Sequence, residues 1–137
     1  MALLLDTGPV FAALNNRDPD HRRCQALLES GEDFAVPCPA LVEIHYWLIE
    51  YGGARAWASF AEDVVNGAYR VIHLTEADLA RTAELELAYG DLRLGFVDAS
   101  IVALAERLGE TRIATLDHRH FSVVRPRHCP HLTLLPE

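Results

Sequence analysis

Short apolar runs and amphipathic stretches alternate along the whole chain. Residues 2–5, 34–36, 69–72, 111–116, 121–124 and 132–135 are too brief for stable helices and lie between turn formers, so each predicts a strand. The intervening stretches carry apolar residues at helical spacing. One follows Thr7-Gly8-Pro9 with Val10, Phe11 and Leu14; a second, 21–30, turns Cys24, Leu27 and Leu28 inward; a third, 54–66, aligns Trp57, Phe60 and Val64. Residues 40–51 are apolar nearly all round, which predicts a largely buried helix, and Gly52-Gly53 divides it from 54–66. Thr75-Glu-Ala-Asp78 resembles a capping box at the start of a further helix, whose acids Glu76, Asp78, Glu84 and Glu86 predict a solvated face. From Asp98, steps of three and four reach Ile101, Val102 and Ala105, and Gly109 stops this last helix before the 111–116 run. Strands alternating with helices predict an α/β fold: a mainly parallel sheet covered on both faces, in one domain spanning 1–137.

Composition narrows the class. Half the residues are hydrophobic, which excludes a disordered chain, and no apolar run approaches the ~18 residues of a membrane span. Met1 leads straight into the first apolar run without a basic leader, so a cytoplasmic protein is expected. Three cysteines without CxxC spacing give neither a disulfide framework nor a zinc site. The net charge of −8, with arginine as the only cationic residue type besides histidine, disfavours non-specific nucleic-acid binding. The tail departs from this balance. Arg112, Arg119, Arg125 and Arg127 stand there against one acid, Asp117, with His118, His120 and His128 among them.

Four acids stand at the ends or beginnings of apolar elements: Asp6, Glu43, Asp98 and Asp117. Each has a plain explanation by itself. Asp6 suits a helix N-cap, and Glu43 a favourable place in the first turns of its helix. Asp6 and Asp117 end strands, so a parallel sheet sets both on its carboxyl edge, where open α/β sheets bind ligands. If Glu43 and Asp98 return to that edge, four carboxylates converge. Each close pair then costs about 4 kcal/mol at ~4 Å and an effective dielectric of ~20. A divalent cation relieves the repulsion, and hard oxygen ligands favour Mg²⁺ or Mn²⁺. Such ions beside phosphate are the usual apparatus of phosphodiester hydrolysis.

The runs Leu-Leu-Leu-Asp6-Thr7, Leu-Val-Glu43-Ile, Phe-Val-Asp98-Ala-Ser-Ile-Val-Ala-Leu-Ala and Ile-Ala-Thr115-Leu-Asp117-His-Arg-His-Phe121 resemble PIN-domain ribonucleases. The small size and the tail are similar to VapC-type toxins of bacterial toxin–antitoxin pairs. The resemblance covers almost the whole chain. It implies a PIN-like three-layer α/β/α sandwich and a Mg²⁺- or Mn²⁺-dependent endoribonuclease. It makes Asp6, Glu43, Asp98 and Asp117 the metal-binding catalytic acids, with Thr7 and Thr115 as supporting hydroxyls. It also implies an RNA substrate, a cognate antitoxin, a homodimer and no membrane. Many relatives carry a further acid after the last aspartate, where this chain has His118, Arg119 and His120. That leaves one metal ion or two. Asp91 is a weaker site residue, more in keeping with a loop or cap. Arg112, Arg119 and Arg125 are phosphate-contact candidates by charge.

Other chemistries fit less well. A dehalogenase-type phosphatase needs a second aspartate two residues after Asp6, where Gly8 stands, and a phospho-receiver domain needs a lysine that the chain lacks. Two alternatives stay open: a metal-independent ribonuclease using His118 and His120 as acid and base, and a non-catalytic PIN-fold protein that binds a partner.

Overall fold

A computed structural model describes all 137 residues. Five strands form one sheet: β1 (Ala2–Leu5), β2 (Asp33–Pro37), β3 (Tyr69–Ile72), β4 (Arg112–Ala114) and β5 (Thr133–Leu135). Every pairing is parallel, in the order β3-β2-β1-β4-β5. Six helices cover it: α1 (Thr7–Leu14), α2 (His21–Leu28), α3 (Ala40–Val65), α4 (Glu76–Ala88), α5 (Phe96–Leu108) and α6 (His118–Val123). No helix is long and apolar enough to cross a membrane.

The period-two side-chain alternation of the strands splits the interior into two cores. Ala2 and Leu4 of β1 and Ala35 of β2 face α4 and α5, packing with Leu85, Ile101, Val102, Leu104 and Phe121. Leu3, Leu5, Phe34 and Val36 point the other way, against Val10 of α1 and Ile44, Leu48 and Phe60 of α3. The chain is thus the α/β/α sandwich that its pattern predicts. Gly53, with φ 69° and ψ −167°, breaks α3 at the Gly-Gly pair, as the sequence leads one to expect.

Three expectations need correction. Residues 121–124 do not form a strand. Asp117 caps a short helix there, accepting from the His120 backbone N–H, and Phe121 is buried from that helix into the core. The first half of α3 is not largely buried. Ile44 and Leu48 face the core, while Val42, Tyr46, Ile49 and Tyr51 are exposed. The third is Asp78, which does not belong to a solvated face: it is 4 % exposed. It closes the capping box with Thr75 and accepts from Arg107 Nε at 2.9 Å.

This last contact is open to test. Asp78→Ala leaves Arg107 and the Thr75 backbone N–H without their acceptor, and a loss of about 2–4 kcal/mol is expected in urea melts. Asp78→Asn keeps the cap and should cost clearly less. Equal melts for the parent and Asp78→Ala would contradict this assignment.

Candidate functional site

The strand order creates a switch point. From β1 the chain crosses to β2 on one side, while β4 lies on the other, so a crevice opens at the carboxyl ends of β1 and β4. Asp6 follows β1 directly, and its backbone N–H donates to Ala114 O of β4 at 2.9 Å. Asp117 follows β4 by way of Thr115 and Leu116. Helix α3 starts just after β2, and that brings Glu43 to the same edge; α5 brings Asp98.

Asp6 is at once a helix cap and a member of the acidic group. One oxygen accepts from the Thr7 backbone N–H and the other from Thr115 Oγ1, each at 2.8 Å. Only 9 % of the residue is exposed. Burial raises its pKa from an ordinary 3.8 to about 6, against the pull of those two hydrogen bonds, and the charges of Asp98 and Glu43 add to the rise. Thr7 Oγ1 donates to Glu43 Oε1 at 2.9 Å, so the two supporting threonines tie Asp6 to β4 and steady Glu43. Burial also raises the pKa of Asp98; His120 opposes that shift and Asp117 reinforces it.

The tightest cluster is Asp98, Asp117 and His120, whose ligand atoms all lie within 4.8 Å of one another. His120 Nδ1 stands 2.8 Å from Asp98 Oδ2 and 2.8 Å from Asp117 Oδ2. Such a set can hold a small cation. The sequence offers this histidine as an acid–base candidate with His118 and does not place it among the metal ligands. Asp117-x-x-His120 is one helical turn, and helix α6 folds His120 back onto both carboxylates. That spacing after a strand-end aspartate was the available signal. Asp91 is exposed in a single 3₁₀ turn, Gly90–Leu92.

The arginines of the tail diverge. Arg112 opens β4, at the opposite edge of the sheet, and forms a two-point ion pair with Glu32 at 2.9–3.0 Å. The structure therefore does not bring it to the acids. Arg125 folds back onto the carbonyls of Ser122 and Val123, and Arg127 pairs with Glu84. Arg119, exposed on α6 beside His120, has no acidic partner.

The raised pKa of Asp6 has a measurable consequence. In the folded chain its proton is held up to pH about 6, whereas the unfolded chain releases it near 3.8. Stability in EDTA is therefore expected to fall as pH rises through that window, by up to about 3 kcal/mol relative to Asp6→Asn. Urea melts of both proteins across this range test it; parallel curves would mean that the carboxylate is not strained.

Residues 3–125 match the PIN domain family. Ribonuclease VapC26 of Mycobacterium tuberculosis is 30% identical to this chain over 135 residues, covering 98% of this chain and 100% of that protein. Among solved structures, Mycobacterium tuberculosis VapC20, described as a Sarcin-Ricin loop cleaving toxin, superposes with a TM-score of 0.73 at 23% identity, over 82% of this chain and 87% of that one. VapBC2 from Rickettsia felis, bound to a DNA fragment from its promoter, gives 0.66 at 18% identity, over 98% and 97% of the two chains. FitAcB from Neisseria gonorrhoeae gives 0.65 at 20%, over 87% and 90%. With the family match running from β1 through α6 and taking in every acid of the crevice, the chain belongs to the PIN-domain family, among its VapC-type members.

Proposed function

We propose that this protein is a Mg²⁺- or Mn²⁺-dependent endoribonuclease, the toxin of a type II toxin–antitoxin pair acting in the cytoplasm. The observation that carries this is the meeting of Asp98, Asp117 and His120 beside buried Asp6, in a chain that matches a ribonuclease over nearly its whole length. The donors fit a small divalent cation. Carboxylate oxygens suit either ion, and the imidazole nitrogen tilts the choice toward Mn²⁺. A cation there activates water and offsets charge developing on the phosphate.

Asp98, Asp117 and His120 hold the ion in this scheme. Asp6, fixed at both oxygens by Thr7 and Thr115, closes the buried side. Glu43 is exposed and engaged by Thr7 through Oε1, which leaves Oε2 free to take a proton from an attacking water. A paired-histidine mechanism has less support: His118 is exposed and pairs with none of the acids.

A protein partner is part of the proposal. Exposed Tyr46, Ile49 and Tyr51 make an apolar surface on α3, continued by the ring contacts of Phe11 with Trp47 and Tyr51. Such surfaces mark interaction sites. Here an antitoxin, or the second subunit of a homodimer, would cover it. A non-catalytic binding protein would account for this surface but not for the cluster of acids.

Purified protein should cut structured RNA in Mg²⁺ or Mn²⁺, leave 5′-phosphate and 3′-hydroxyl ends, and stop in EDTA. Asp98→Asn should abolish cutting, and His120→Ala should lower it about 10–100-fold. Cutting that persists in EDTA with cyclic phosphate ends would transfer the chemistry to the histidines.

A second expectation concerns charge. Arg119→Ala, alone or with Arg125→Ala, should weaken RNA binding and flatten its dependence on salt. Arg112→Ala should leave RNA binding unchanged and lower stability slightly, since its pair with Glu32 is partly exposed. Loss of RNA affinity on Arg112→Ala alone would reverse this division.

A further inference from the structure

Beside the acids lies an open recess whose apolar lining the chemistry above does not use. Pro39, Val42, Leu74, Phe96 and Val97 line it, together with Cys38 and His73, around about 610 Å³ of space. Small-ligand clefts usually hold roughly 300–1,000 Å³. Phe96 is 44% exposed and Val42 74%, large values for apolar residues in a recess. Phe96 starts the helix that carries Asp98, and Glu43 lines the recess while also accepting from Thr7. The recess is therefore continuous with the acidic crevice.

We infer that this recess receives an unstacked nucleobase of single-stranded RNA, from a nucleotide flanking the scissile phosphate, with the Phe96 ring as its stacking face. The inference rests on the ribonuclease assignment and names how that site selects its substrate. Charge separates the parts of the substrate. The only carboxylate on the recess wall is Glu43, and no arginine lines it, so a phosphate gains nothing there. A neutral planar base gains apolar burial and stacking. Sequence-specific RNA recognition commonly splays single-stranded bases onto aromatic side chains in this way. The His73 imidazole and the Cys38 thiol, which also line the recess, supply polar groups for the edge of the base.

The test compares two probes: a short fluorescent single-stranded RNA of mixed sequence, and an abasic strand with the same ribose-phosphate backbone. Binding is measured in Ca²⁺ for the parent, Phe96→Ala and Phe96→Trp, with thermal melts as a check on folding. Phe96→Ala should weaken binding of the base-bearing strand about tenfold or more and leave the abasic strand unchanged; Phe96→Trp should restore the parent preference. Mapped cut ends in total RNA should lose base preference at one position flanking the cut in Phe96→Ala. Unchanged binding of the base-bearing strand, or equal loss for both strands, would overturn the inference. So would a Phe96→Ala effect confined to oligomeric state, which would assign the recess to a second copy. A parent that cuts RNA while Phe96→Ala behaves like it defeats the recess alone. A parent that neither cuts nor binds RNA defeats the ribonuclease assignment and the recess together.

Discussion

One buried hydroxyl organises the crevice. Thr115 Oγ1 donates to Asp6 Oδ2 at 2.8 Å and accepts from the Asp117 backbone N–H at 3.0 Å. It joins the ends of β1 and β4 across the switch point and fixes both aspartates relative to each other. The bond depends on register. Leu4 lies opposite Ile113 and Leu5 opposite Ala114, and a slip by one residue would turn the leucines of β1 out of their cores. Apolar packing thereby sets the position of a carboxylate that would otherwise avoid such burial.

The fold keeps its charges in two populations. Arg81 with Glu106, Arg107 with Asp78, and Arg112 with Glu32 tie elements together, and each of these arginines is taken up by its acid. At the carboxyl edge the balance differs. Asp6, Asp98, Asp117 and Glu43 are served by hydroxyls, backbone N–H groups and one imidazole, with no arginine among their hydrogen-bond partners. Hydroxyl and backbone donors hold Asp6 and Glu43 in place without cancelling their charge. A phosphate approaching this edge meets repulsion unless a cation intervenes, which ties substrate binding to metal binding in the proposed activity.

Much of this was legible in the sequence. Alternation of apolar runs and helical patterns contains the parallel sheet, and the four acids stand at element ends that can be read without coordinates. What escaped was tertiary. Phe-Ser-Val-Val looks like a strand, yet Asp117 caps α6 at that point, and Phe121 is drawn into the core packed on α5. Charge counting along the tail could not separate Arg112 from Arg119, since the partner of Arg112 is Glu32, eighty positions away. Periodicity failed on α3 for a different reason: an all-apolar helix can face a core on one side and a binding partner on the other, and both leave the same pattern.

Helix α5 shows how one local choice links chemistry to recognition. Gly95 caps it, and the Gly95 backbone N–H lowers the pKa of Asp98 against the effect of burial. The helix N-terminus thus favours a carboxylate in its first turn. Phe96 and Asp98 are two positions apart, about 200° around the helix axis, so the ring and the acid face different ways from the same turn. In the proposed activity, a strand of RNA with its phosphate at Asp98 would have to bend round the helix start to bring a base to Phe96. Single-stranded or looped RNA can make that bend, whereas a base in a continuous duplex stays stacked. Under the proposed activity, the start of α5 would therefore favour unpaired RNA before any base edge is read.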